Sequence, residues 1–160
     1  AHELRFLSCT LNVPGICGLG LACQLARQGM SADSTRLAPL RDRLQSGLQQ
    51  RVGAIEVHGD QRHRLSHVLN VSFPEVDGSS LLNQLTDIAV SSGSACTSAS
   101  LSASHVLKAM GVVEESAQGA IRFSLGRFTR SEEIEYVVDR MEEIVLRLGI
   151  GASVSEGNKP

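Results

Sequence analysis

Ile88-Ala89-Val90-Ser91-Ser92-Gly93-Ser94-Ala95-Cys96-Thr97-Ser98-Ala99-Ser100 is an apolar, strand-like run that opens into small residues around one cysteine. A core cysteine has bulky apolar neighbours, whereas Cys96 has only serine, glycine, alanine and threonine beside it. The pattern predicts a displayed loop, and on a displayed loop the thiolate of a cysteine is a nucleophile. A short helical pattern, His105 to Met110, follows, so the local order is strand, loop, helix. The plain alternative is a Ser-rich linker with an incidental cysteine, and composition alone does not separate the two.

Outward from this segment, helices and strands alternate. Asn12 is placed to cap a helix with Pro14 in its first turn, where the missing N–H does no harm. That helix is expected to run to about Gln28 and stop at Gly29. A second helix, about 33–52, carries Leu37, Leu40, Leu44 and Leu48 at helical spacing. Residues 54–58 read as a strand, 59–66 as a polar loop and 67–73 as another strand. Asp77-Gly78 opens a short helix through Leu85, and 88–91 is the strand that feeds the cysteine loop. Beyond it, Ser104 or Ser102 caps a helix that ends at Gly111, and 120–124 is a strand. Thr129-Arg130-Ser131-Glu132 reads as a capping box opening a last helix. Its apolar stripe is Ile134, Val137, Val138, Met141, Ile144, Val145 and Leu148, and Gly149 is its expected stop.

Strands separated by helices, with a long helix at each end, predict an α/β or α+β fold: one sheet with flanking helices. The expected organisation is an entering segment with a connecting helix over 1–30, a small α/β domain carrying the cysteine loop over 31–150, and a disordered tail over 151–160.

The chain has 160 residues, of which 42% are hydrophobic, enough for the core of one domain. A formal charge of −2 gives no electrostatic case for nucleic acid or an anionic membrane. One Tyr, four Phe and no Trp leave few platforms for stacking bases. No apolar run approaches the ~20 residues of a membrane helix. Cys9, Cys17, Cys23 and Cys96 form no C-x-x-C pair, and Cys17 and Cys23 fall six apart on one predicted helix. A reducing setting fits them better than a disulfide framework. His58, His63, His67 and His105 sit at no recognised ligand spacing, so no metal is expected. Gly15, Gly18 and Gly20 lack the strand and the lysine of a phosphate loop, and close helix packing is the expected reason for them.

Four segments, in order along the chain, carry a resemblance. They are 11–16 (Leu-Asn-Val-Pro-Gly-Ile), 69–73 (Leu-Asn-Val-Ser-Phe), the Cys96 loop over 91–100, and 120–129 (Ala-Ile-Arg-Phe-Ser-Leu-Gly-Arg-Phe-Thr). Together they resemble the pyridoxal-phosphate-dependent cysteine desulfurases of the NifS/IscS type, within the class-V aminotransferases, over nearly the whole chain except the last ten or so residues. The resemblance implies the small C-terminal domain of the aminotransferase-like fold type I. It implies that Cys96 takes sulfur from L-cysteine and holds it as a persulfide, a reversible cap on a thiolate. It also implies that Arg122 grips the substrate carboxylate, as a guanidinium fork suits; Arg127 reads as structural. Thr10 resembles the residue that contacts the cofactor phosphate in the partner subunit, although Leu7 stands where the family prefers arginine and Cys9 where it prefers glycine.

Further implications are a homodimer, a sulfur-acceptor protein as partner, iron–sulfur cluster assembly or other sulfur biosynthesis as destination, and the cytoplasm or an organelle matrix as location. Pyridoxal phosphate needs a lysine that holds it covalently, and the chain has only Lys108 and Lys159. Neither resembles the family's cofactor lysine, so the chain reads as the C-terminal portion of such an enzyme, inactive alone. The competing reading is a non-catalytic sulfur carrier or desulfurase-binding module derived from that domain.

Overall fold

A computed structural model describes residues 10–74, 76–92 and 104–156, with side chains up to Gly149. Two compact units are present, Ala1–Ser34 and Thr35–Pro160, and the first helix runs through both ranges.

Helix α1 spans Val13–Arg51. Asn12 caps it as expected, its Oδ1 accepting the Gly15 N–H at 3.1 Å. The expected break at Gly29 does not occur. Glycine in a helix interior costs about 1 kcal/mol relative to alanine, and it ends a helix only where the backbone turns left-handed. Gly29 stays in helical backbone, whereas Gly53, just past the helix, takes φ 95° and ends it. Pro39 also lies inside the helix and simply gives no N–H to it. In the first unit, Val13, Ile16, Leu19, Leu21 and Leu25 are exposed along α1. A Cβ on Gly18 or Gly20 would meet open space, so the close packing expected there is not found among the described residues.

In the second unit a four-stranded antiparallel sheet has the order β1-β2-β4-β3. The strands are β1 Glu56–Val57, β2 Val68–Ser72, β3 Ser91–Ser92 and β4 Ile121–Ser124. The expectation of one sheet with flanking helices holds. Leu69 and Val71 on β2 face the same way as Phe123 and Ile121, their register partners on β4. Over these four buried residues pack Leu37, Leu44 and Leu48 of α1, and Ile134, Val138, Met141 and Ile144 of α5 (Ser131–Glu156). Leu81 of α2 (Gly78–Gln84) completes this core.

α1 and α5 lie close at Gly47, where an added Cβ would come within 2.8 Å of Val138 Cγ2. Ion pairs from Arg43 to Glu135, and from Arg51 to Asp139 and Glu142, run along the same seam. Asp77 caps α2 by accepting the Ser80 N–H at 2.7 Å, and that bond holds its carboxyl below the usual range.

The start of α5 differs in detail from the expected capping box. Glu133, not Glu132, reaches back to the Arg130 N–H at 2.8 Å. The Thr129 hydroxyl instead accepts from Gly126 N–H at 2.9 Å, closing the turn after β4. Arg36 of α1 locks that turn: its guanidinium donates to the carbonyls of Gly126, Arg127 and Thr129. Past Gly149, α5 continues to Glu156 rather than stopping, again because that glycine keeps helical backbone.

On the other side of the sheet sits a small second cluster. α3 (His105–Ala109) begins after Ser104, whose hydroxyl makes no cap, and ends where expected, at Gly111 with φ 81°. Gly111 N–H returns to Lys108 and Val112 N–H to Leu107, the paired bonds of a Schellman ending. α4 (Glu114–Gln118) is not expected from the sequence, although Glu114 and Glu115 place acid in its first turn. Leu107, Ala117 and Ala120 pack together with Val112. The buried Ser72 hydroxyl donates to Ser116 C=O at 2.5 Å, tying β2 to α4. Because that proton is committed, Ser72 accepts from His58 Nε2–H, 2.6 Å away.

Gly47→Ala should destabilise the fold by about 1–3 kcal/mol through overpacking against Val138. Gly18→Ala in the same helix meets nothing, and should leave the urea midpoint unchanged or raise it; equal losses from both substitutions would contradict the α1–α5 contact. Burial holds the His58 pKa below 6.5, with Glu56 partly offsetting it. The unfolded chain therefore takes this proton first, so stability is full above about pH 6.5 and falls as pH drops below it. Urea midpoints measured from pH 7.5 to 5 should fall less steeply in His58→Gln than in the unaltered chain.

Candidate functional site

The period of a strand decides where Arg122 goes. Ile121 and Phe123 are buried on the core side, so Arg122 between them emerges on the opposite face, exposed. Its register partners are Asn70 on β2 and Ser91 on β3. Asn70 C=O in turn accepts the His58 N–H at 2.9 Å, just past the end of β1. His58, Asn70, Arg122 and Ser91 thus form one polar row across the sheet, with Ser72 beside it. Arg122 makes no hydrogen bond or ion pair with any described residue.

Cys96 lies outside the described residues. Ser91 is paired with Arg122, and in the sequence Cys96 follows Ser92 by four residues.

Thr10 is exposed ahead of α1 and hydrogen-bonds to no described residue. The first turn of α1 offers an anion little else. Val13 N–H goes to Leu11 C=O, Pro14 has none, and Gly15 and Ile16 N–H both go to Asn12. This donor set suits a single hydroxyl contact to a phosphate edge, not a full phosphate cradle. Thr10 belongs to the first unit and Arg122 to the second.

A covalently held cofactor also needs a free lysine, and Lys108 is not one: its Nζ pairs with Glu114 Oε2 at 2.7 Å. Lys159, like Leu7 and Cys9, lies outside the described residues. Among the described residues, then, Arg122 is suited to a carboxylate and Thr10 to one edge of a phosphate such as that of pyridoxal phosphate, and the one described lysine, Lys108, is paired.

Cys17 and Cys23 are free and exposed on α1. His63 stands 3.3 Å from Asp60, whose carboxylate also accepts the Arg62 and His63 N–H groups. Among the described residues no three His, Cys, Asp or Glu side chains converge as metal ligands, and no helix is long and apolar enough to cross a membrane. A cavity of about 430 Å³ lined by Leu44, Ile88, Phe123, Ile134 and Tyr136 opens on the side away from Arg122. At its rim Asp87 accepts from Tyr136 OH at 2.5 Å and pairs with Arg140, and the Tyr136 bond chiefly holds the carboxyl low.

The sequence alone misses Asn70 and His58 as neighbours of Arg122. Alternation within 67–73 is enough to put Asn70 opposite Leu69 and Val71, but cross-strand register is not written in one strand.

Residues 1–137 match the family model Aminotransferase class-V. The cysteine desulfurase IscS of Anaeromyxobacter dehalogenans (strain 2CP-C) is 50% identical over 147 residues, covering 92% of this chain and 36% of that protein. The cysteine desulfurase IscS of Methylobacillus flagellatus is 48% identical over the same share of each chain. Among solved structures, a NifS-like protein superposes with TM-score 0.75 at 37% identity, over 88% of this chain and 36% of that one. The X-ray structure of a NifS-like protein from Rickettsia africae ESF-5 does so with TM-score 0.72 at 32% identity, over 86% of this chain and 36% of that one. The chain thus spans about a third of the length of these relatives. By sequence and by fold, it belongs to the class-V aminotransferase family, in the company of the cysteine desulfurases.

Proposed function

We propose that this chain is the sulfur-receiving and substrate-gripping part of a cysteine desulfurase. The observation that supports this reading most is the pairing of Ser91 with Arg122. One strand presents an unpartnered guanidinium, and its edge neighbour leads within four residues to Cys96. In this reading, the pairing of Ser91 with Arg122 serves to bring the two groups that the chemistry requires together.

In this reading Arg122 binds the carboxylate of L-cysteine through two parallel charge-assisted hydrogen bonds, which fixes the amino acid's orientation. Pyridoxal phosphate, when bound, supplies the electron sink that weakens bonds around the amino acid's carbons. The Cys96 thiolate attacks the substrate sulfur. An S–S bond forms as the substrate C–S bond breaks, and the electron pair stays on carbon, which takes a proton to give alanine. Cys96 is left as a persulfide, which a thiolate of an acceptor protein can remove. Thr10 contacts the cofactor phosphate of the partner subunit in a homodimer, and the lysine that anchors the cofactor comes from polypeptide other than this chain. The reaction takes place in the cytoplasm or an organelle matrix.

A second reading, a sulfur carrier without cofactor, draws on Leu7, Cys9 and the occupied N–H groups at the start of α1. An open carboxylate grip at Arg122 favours the enzyme, since a carrier receives its sulfur already detached from an amino acid.

Joining this chain to the cofactor-bearing portion of the Anaeromyxobacter dehalogenans relative tests the reading by sulfide and alanine release from L-cysteine. Cys96→Ala should abolish sulfide release and leave the cofactor's absorbance intact. Arg122→Ala should raise KM roughly 10- to 150-fold, the equivalent of the 1.5–3 kcal/mol of a hydrogen bond to a charged group. The chain alone should release none. Full activity of the Cys96→Ala form would overturn the proposal, and persulfide uptake by a chain whose joined form is inert would favour the carrier.

A further inference from the structure

Asn70 and Arg122 have complementary deficits. The Asn70 Oδ1 atom is buried and accepts no hydrogen bond, and a buried acceptor left unpaired costs about 1–3 kcal/mol. Arg122 has five N–H donors and no hydrogen bond to any described residue. The two residues are register partners on adjacent strands and lie on the same face.

The ladder brings them as close as antiparallel strands allow. Leu125 N–H donates to His67 C=O at 2.8 Å, which makes 67 and 125 a hydrogen-bonded pair. Such pairs alternate with non-hydrogen-bonded ones along an antiparallel ladder. Counting inward, 69/123 and 71/121 are hydrogen-bonded pairs, and Asn70/Arg122 is a non-hydrogen-bonded pair. The Asn70 backbone agrees, since its C=O turns away from β4 to the His58 N–H. In such a pair the Cα atoms are about 4.5 Å apart and the side chains are at their closest. An asparagine amide then lies along the arginine stem, within reach of Nε but short of the terminal nitrogens.

We propose that Asn70 is a positioning residue for Arg122: its carboxamide oxygen accepts the Nε–H, leaving both terminal amino groups to face a carboxylate. The bond satisfies the buried acceptor. It also fixes the plane of the guanidinium, so that less rotamer freedom is lost when a carboxylate binds. Asn70 acts through Arg122 and touches no substrate. The assignment rests on the reading of Arg122 as the carboxylate grip.

Two measurements test it. In the full 160-residue chain with ¹⁵N-labelled arginine, the Arg122 Nε–H should exchange with solvent at least about fivefold more slowly than in Asn70→Ala. Asn70→Asp, which keeps an acceptor, should exchange no faster than the unaltered chain. In the chain joined to a relative's cofactor-bearing portion, Asn70→Ala should raise the KM for L-cysteine about tenfold with kcat within about twofold. Asn70→Asp should restore most of that loss, and Asn70→Ala added to Arg122→Ala should raise KM no further. Equal Nε–H exchange in the unaltered and Asn70→Ala chains, or a KM effect that persists without Arg122, would overturn the positioning role. A joined protein that releases no sulfide would refute the proposed function while the exchange measurement still decides the Asn70–Arg122 bond.

Discussion

The register of β4 between β2 and β3 is the constraint on which the rest depends. Side chains alternate with a period of two, so one choice of register fixes both faces of the strand together. With Ile121 opposite Val71 and Phe123 opposite Leu69, four apolar side chains meet α1 and α5. The same choice places Arg122 outside, between Asn70 and Ser91. A slip by one residue would drive a guanidinium into the core and expose two large apolar side chains. The hydrophobic core and the candidate site are therefore specified by one and the same pairing.

Packing on both sides of the sheet keeps that register from drifting. Arg36 on α1 gathers the carbonyls of the turn that leaves β4, and Thr129 closes the same turn from within. These bonds fix where β4 ends, just as Ala120, packed with Leu107 and Ala117, fixes where it begins. Ser72 adds a tie from the neighbouring strand to α4 through Ser116. The strand that carries Arg122 is thus held at both ends as well as along its length, while its outward face stays open. A strand held in this way, with an arginine that no described residue partners, suits the proposed carboxylate grip.

Much of this is legible in the amino-acid sequence alone. Asp77 before α2, Gly111 after α3 and the alternation in 67–73 and 120–124 each state a local rule that the fold obeys. The motif around Arg122 points to its role, and the strand period alone puts it on the face opposite Ile121 and Phe123. What fails is of two kinds. Gly29 and Gly149 are read as stops, yet glycine only weakens a helix unless the backbone turns left-handed there, and the residue type does not say whether it does. The contacts among Asn70, His58 and Arg122, and the close approach of Gly47 to Val138, depend on which segments become neighbours. Such relations are properties of pairing, which no local pattern encodes. The Cys96 loop is the converse case: its sequence is the clearest in the chain, and it lies outside the described residues.

The central claim is that backbone pairing places Arg122 between Asn70 and the strand leading to Cys96. The direct measurement is a set of cross-strand nuclear Overhauser effects in the isotopically labelled chain. Asn70 and Arg122, as a non-hydrogen-bonded antiparallel pair, should show a strong contact between their Hα protons, and backbone contacts should join Arg122 to Ser91. Strong Hα contacts from Arg122 to Leu69 or Val71 in place of Asn70 would reveal a different register and contradict the account.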